Sequence, residues 1–238
     1  MGPRSVPLGS WYACEVSRAP VRFLFDYISH NAYLAWVQLG PLAERCGRAV
    51  EPVPVLFAGL LNAHGQLGPA EVAPKARWMM LNVARKARLL GIPIAPPATH
   101  PFPPLLALRA TWAAAPGVPR RRLIDALFRA AWAESQDMGD PKTVASAART
   151  AGLDGDALLA EVARDEVKAR LRDATDAAVR DGVWGVPTFA VDGELFWGFD
   201  DLAYLELFLA GRDPLQPGDA ERFTQYQASA RRRRPGEK

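Results

Sequence analysis

Phe25-Asp26-Tyr27-Ile28-Ser29-His30-Asn31-Ala32-Tyr33-Leu34 is the stretch on which the fold turns. Just before it, Val21-Arg22-Phe23-Leu24-Phe25 is β-branched or aromatic and mostly apolar, so the segment to Tyr27 reads as a short buried strand. From about Ala32 to Cys46, Tyr33, Leu34, Trp36, Val37 and Leu42 recur at helical spacing, and Gly47 stops that helix. Ser29 thus falls at a sharp turn between strand and helix, where a hydroxyl commonly caps free backbone N–H groups. Val50 to Phe57 alternates valine and proline and suits a second strand near a sheet margin. Strand, helix, strand is a βαβ unit, which predicts parallel pairing and a right-handed crossover.

Beyond this unit, Ala58 to Gly68 reads as loop with a short helical piece. From there to Val183 the pattern is helical almost throughout. Ala70 to Leu90 is one helix, ended by Gly91 and Pro93, and the prolines between Pro96 and Pro104 make a rigid connection. Leu105 to Ala115, Pro119 to Glu134, Thr143 to Ala151 and Asp156 to Asp181 follow as helices, with Gly152 and Gly182 as stops. Thr188 to Trp197 is a hairpin signal, two apolar runs around Asp192-Gly193. Asp200 is expected to cap a last helix running to about Leu209. The order βαβ, helices, ββα is an α/β class with thioredoxin topology, split by a large helical insertion. The expected boundaries are 21–60 and 183–212 for the thioredoxin-like part and 61–182 for the insertion. Residues 1–20 form an N-terminal extension and 213–238 a basic tail.

Composition narrows the function classes. The 238 residues carry a net charge of +3, but Arg231 to Arg234 and Lys238 supply five of the positive charges against Glu237. Without that tail the body is slightly acidic, so the basic balance reports a solvated end and argues against nucleic acid. Cys14 and Cys46 are the only cysteines; they form no CxxC and no zinc-site spacing, which points to a reduced, cytoplasmic protein. The first 20 residues lack an apolar core of signal-peptide type, and the apolar runs are too short or interrupted to cross a membrane.

A second segment, Gly185-Val186-Pro187-Thr188-Phe189, lies about 160 residues after Ser29. A first-turn nucleophile and a distant Val-Pro-Thr are the two halves of a thioredoxin-type site. Here the first half carries serine, and three residues on stands Ala32, so no disulfide can form between these positions. Asp26-Tyr27-Ile28-Ser29, Tyr33-Leu34-Ala35, Gly91-Ile92-Pro93, His100-Pro101-Phe102, Gly185 to Phe189 and Phe196-Trp197-Gly198-Phe199-Asp200 together resemble the 2-hydroxychromene-2-carboxylate isomerase family. That family is related to kappa-class glutathione transferases and DsbA oxidoreductases. The chain departs from the pattern at four places. His30-Asn31 replaces a Pro-aromatic pair, Asn62 stands where many members have lysine, Asn82 where aspartate is common, and Asp201 where arginine is usual.

The resemblance implies glutathione as cofactor and a small aromatic or electrophilic substrate, in a homodimer. Ser29 would hold the glutathione thiolate through its hydroxyl and the helix N-terminus. The alternative for Ser29 is a plain N-cap. Pro187 is expected to be cis, with Val186 offering backbone N–H and C=O groups to an extended peptide; the alternative is a trans proline that opens a strand. Trp197, Gly198, Phe199, Asp200 and Asp201 would close the other end. Their backbone N–H groups would hold a carboxylate and Asp200 would accept the γ-glutamyl ammonium. Substrate contacts are assigned to His30, Asn31, Asn62, Trp78, Arg85 and His100, with a loop or solvated-face role as the alternative for the polar residues and a core position as the alternative for Trp78. The expected activity is a glutathione-dependent cis–trans isomerisation of an enone carboxylate by reversible thiolate addition. The alternatives are a kappa-like transferase or peroxidase, and a non-catalytic glutathione- or peptide-binding module.

Overall fold

A computed structural model describes residues 19–229 of the chain. β1 (Val21–Phe25), β2 (Val50–Pro54), β3 (Thr188–Val191) and β4 (Glu194–Trp197) form a sheet in the order β2-β1-β3-β4. β1 pairs with β2 in parallel, Val21 opposite Val50 through Phe25 opposite Pro54. It pairs with β3 in antiparallel, Phe23 opposite Phe189. Pro52 and Pro54 are tolerated because β2 is an edge strand, where missing N–H donors cost the ladder least.

Alternation along β1 decides how the core is divided. Val21, Phe23 and Phe25 face the larger core together with Tyr27, Leu34 and Phe189. Leu24 faces a smaller cluster with Val53, Val55, Leu60, Val183 and Val186. Phe23 anchors the first face, its ring 5.2 Å from Phe25 and 5.6 Å from both Trp36 and Phe189. The Val186 loop is therefore packed against the same strand that delivers Ser29.

The βα unit contains α1 (His30–Arg45). Between β2 and β3 run α2 (Phe57–His64), α3 (Ala73–Leu90), α4 (Leu105–Ala113), α5 (Val118–Trp132), α6 (Pro141–Thr150), α7 (Gly155–Glu161) and α8 (Asp165–Arg180). α9 (Leu202–Leu209) follows β4, and α10 (Asp219–Thr224) lies beyond it.

Four expectations are corrected. The second strand ends at Pro54, because the Asp26 carboxylate captures the Phe57 N–H and α2 begins there. The expected helix over Asp156 to Asp181 is two helices, α7 and α8. Arg164 turns to extended backbone (φ −68°, ψ 142°), and Asp165 and Glu166 open a new first turn. α10 forms inside the segment read as tail. Asp200 does not cap the last helix; it lies within a one-turn 3-10 helix, Phe199–Asp201, ahead of α9. Cys14, most of the N-terminal extension and the Arg-rich end fall outside the described residues. No helix among the described residues is long and apolar enough to cross a membrane.

Candidate active site

The turn carrying Ser29 is fixed from below by Asp26. Its fully buried carboxylate accepts the Ile28 N–H at 3.1 Å and the Phe57 N–H at 2.9 Å. Burial pushes the Asp26 carboxyl up to about 7, against the pull of those two N–H groups. From the side, Trp132 Nε1 donates to Tyr27 O at 2.8 Å, and His100 Nε2 lies 3.1 Å from Ile28 O. A carbonyl only accepts, so His100 carries its proton on Nε2 in this contact. Tyr27 is locked in turn, because Thr111 donates to Ala107 O and its Oγ1, 2.6 Å away, accepts the phenol.

Ser29 is extended (φ −92°, ψ 110°), and its Oγ accepts the Ala32 N–H at 3.2 Å, so it is the N-cap of α1. The same oxygen donates to Val186 O at a long 3.4 Å. One hydroxyl thus bridges the α1 N-terminus and the Val186 loop. The Val186–Pro187 and His100–Pro101 peptide bonds are cis. Gly198 N donates to Pro187 O at 2.9 Å, which brings the Trp197–Asp201 segment against Pro187. Ser29, Val186, Pro187, Gly198, Phe199 and Asp200 therefore form a continuous strip.

The two ends of that strip differ in charge. Beside Ser29, His30 is 4% exposed, and neither ring nitrogen has a hydrogen-bond partner. Burial, followed by the positive charges of His100 and Lys86, lowers its pKa to about 4. The Asn31 amide pulls the other way from outside hydrogen-bond geometry, and its Oδ1 is also buried without a partner. His100 is lowered as well, mainly by burial. At the far end Asp200 pairs with Lys86, whose Nζ lies 2.7 Å from Oδ1 and 2.8 Å from Oδ2. Lys86 Nζ also sits 5.2 Å from the centre of the Phe199 ring. Asp201 accepts the Trp197 N–H at 2.9 Å. Trp197 is half-exposed and packs on Trp184, their centroids 6.1 Å apart.

A cavity of about 680 Å³ opens beside this turn. Arg77, Met80, Ala84 and Arg88 line it from α3, Ile92 and Ile94 to Pro97 from the following loop, and His100 and Trp132 from behind. Its back wall is thus the pair of side chains that hold Tyr27 O and Ile28 O. The Arg77 and Arg88 guanidinium groups have no ion-pair or hydrogen-bond partner among the described residues. The cavity is therefore apolar in its walls and cationic along one side.

The remaining assigned residues lie elsewhere. Asn62 is exposed on α2, and Trp78 (62% exposed) and Arg85 lie on a solvent-facing side of α3; none of them lines the cavity. Lys86 and Trp132 were missed by sequence reasoning. Lys86 had a signal: with Met79 and Val83 it occupies the apolar spacing of α3, where a lysine is out of place unless paired. Trp132 had none, since its partner is a backbone carbonyl far away in sequence. No cluster of three or more His, Cys, Asp or Glu side chains that could hold a metal occurs among the described residues.

With this geometry in place the comparisons are direct. The chain belongs to the DSBA-like thioredoxin domain family, whose description matches residues 20–210. Within it the chain is similar to the 2-hydroxychromene-2-carboxylate isomerase of Sphingobium xenophagum, at 32% identity over 196 residues, covering 79% of this chain and 97% of that one. Glutathione S-transferase kappa 1 of Rattus norvegicus is 27% identical over 210 residues, covering 83% of this chain and 93% of that one. A solved 2-hydroxychromene-2-carboxylate isomerase shares the fold with a TM-score of 0.75 at 24% identity, over 86% of this chain and 99% of that one.

Proposed function

We propose that this protein is a glutathione-dependent cis–trans isomerase of the 2-hydroxychromene-2-carboxylate type. Its substrate class is a 2-oxo or enone carboxylate of aromatic degradation. The observation that carries the proposal is the position of Ser29 Oγ, on both the Ala32 N–H and Val186 O, with Ala32 where a second thiol would have to stand. The long bond to Val186 O is weak and easily exchanged for a charge-assisted bond to a thiolate. The α1 N-terminus adds its dipole at the same point. The relatives named isomerase and glutathione transferase support the same reading.

The chemistry follows from what a bound thiolate can do. A C=C bond does not rotate, but thiolate addition to the conjugated carbon makes it single and moves the electron pair onto the carbonyl as an enolate. Rotation and expulsion of the thiolate restore the double bond in the other geometry, with glutathione unchanged. The protein's share is to hold the thiolate and position the electrophile. The electrophile fits the cavity, whose apolar walls suit a ring and whose Arg77 and Arg88 suit a carboxylate. His100 is the polar group that both lines the cavity and holds the Ser29 turn, through Ile28 O. The reading places the protein in a reducing compartment, where glutathione is kept as the thiol.

Calorimetric titration with glutathione tests the first step, and no heat at millimolar glutathione overturns it. Turnover of a chromene-carboxylate with catalytic glutathione tests the second. Stoichiometric loss of free thiol would instead favour a transferase, the reading that the kappa-class relative supports.

A further inference from the structure

The cavity beside the Ser29 turn carries two cations where a single substrate carboxylate needs one. Arg77 and Arg88 both line it, their guanidinium groups unpartnered among the described residues, and no aspartate or glutamate lines it with them. The other basic side chains of α3 are placed differently. Lys86 is paired with Asp200, and Lys75 and Arg85 do not line the cavity. Arg77 and Arg88 stand eleven residues apart on α3, which is three turns, about 16 Å along the axis and nearly the same face. Helical side chains lean toward the N-terminus, so both arms tilt the same way and keep that separation. Met80 and Ala84 lie between them on the cavity side, and Ile92, Ile94 and Trp132 add apolar wall.

Two guanidinium groups three turns apart are too widely spaced to grip one carboxylate together. With a charge-assisted contact of about 3 Å at each end, the gap left for a ligand is roughly 10 Å. That is the length of a fused two-ring system with a carboxylate at each end of its long axis. From this spacing we infer that the cavity takes a dianionic aromatic acid, one carboxylate at Arg77, the other at Arg88, and the rings over Met80 and Ala84. The volume of about 680 Å³ holds such an acid with room to spare. The inference rests on the reading of this cavity as the electrophile's site and narrows the substrate class. The substrate becomes an aryl enone carboxylate with a second carboxylate on the far edge of its ring. Arg77 and Arg88 then set specificity by the distance between them, not by charge alone.

Unreactive probes keep binding apart from catalysis. Calorimetry on the full chain at low salt compares naphthalene-2,6-dicarboxylate, with an acid at each end, naphthalene-2,3-dicarboxylate, with the same charge on one edge, and 2-naphthoate, with one acid. The wild type is expected to bind the 2,6-isomer about fivefold or more tighter than either of the others. Arg77→Gln and Arg88→Gln should each bring the 2,6-isomer within about twofold of 2-naphthoate, and should leave glutathione affinity unchanged. If the 2,3-isomer binds the wild type as tightly as the 2,6-isomer, the spacing does not select and the inference is overturned. A 2,6-preference that survives both substitutions, or binding of none of the three acids, overturns it as well. Turnover of 2-hydroxychromene-2-carboxylate with catalytic glutathione is measured beside it. Turnover without a 2,6-preference sinks the dianion and leaves the isomerase reading standing. A 2,6-preference without turnover supports the paired anion site and sinks the isomerase reading. Because the wild type alone already discriminates among the probes, a misfolded variant does not shield the inference.

Discussion

The Ser29 end and the Asp200 end of the strip are built on opposite principles. Around Ser29, the buried Asp26 and His30 and the half-buried His100 have pKa values that burial pushes toward the neutral form. Around Asp200 the charges are paired, an exposed carboxylate on a largely buried ammonium. The difference teaches where each kind of recognition belongs. A thiolate brought beside a largely buried turn gains most from a single oriented hydroxyl, since weak dipoles act strongly where water is excluded. End groups that only need to be told apart can be read in water by paired charges. The largest expected effect breaks the first principle. Ser29→Ala should lower isomerase turnover about 100-fold at pH 7, and much less above the thiol's own pKa of about 8.5, where the thiolate no longer needs help. An equal loss at both pH values would show that Ser29 does not stabilise a thiolate.

The second test concerns stability. Asp26 has its pKa raised by folding, to about 7 from 3.8, so it stabilises the fold below pH 3.8, and that contribution is lost as pH rises through 7. His30 has its pKa lowered by folding, to about 4 from 6.5, so its contribution is present above pH 6.5 and lost as pH falls through 4. Each is on the order of 3 kcal/mol, and between the two ranges they oppose one another. Wild-type stability should therefore change little across that span through these groups. Asp26→Asn should uncover the His30 slope, a protein that gains stability from acid toward neutral pH. His30→Phe should uncover the Asp26 slope, with the opposite sign. Urea unfolding of the three proteins at several pH values reads this out. Parallel curves would mean that neither group is held neutral by the fold.

The same contrast explains what was legible in the sequence. Strand, turn and hairpin chemistry is local, and the Val21 strand, the Gly47 stop and the Asp192-Gly193 hairpin appear where the residues place them. Ser29 as a helix cap beside Val186 was legible because it depends on a turn and a motif. The break between α7 and α8 was not, since every residue across it tolerates a helix and only tertiary packing chooses the turn. Lys86, Trp132 and the cavity face of α3 were not legible either. Their roles are set by partners far away in sequence: Asp200, Tyr27 O and the His100 loop.

The smallest expected effect sharpens that point on a single helix. Arg85 and Arg88 share α3, a charge and a high exposure, and composition or periodicity treats them alike. Only Arg88 lines the cavity, together with Arg77, Met80 and Ala84; Arg85 is turned away from it. A guanidinium near the surface attracts a carboxylate by about 1 kcal/mol, which is about a fivefold change in affinity. Arg88→Ala should therefore raise KM for a carboxylate substrate several-fold, with kcat and glutathione affinity little changed. The increase should shrink in high salt, because the contact is partly solvated. Arg85→Ala should leave KM within about twofold under the same conditions, as expected for an exposed charge that has no ion-pair partner among the described residues. Equal effects of the two substitutions would mean that the α3 cavity does not receive the substrate anion, and the electrophile would then have to approach Ser29 from another side.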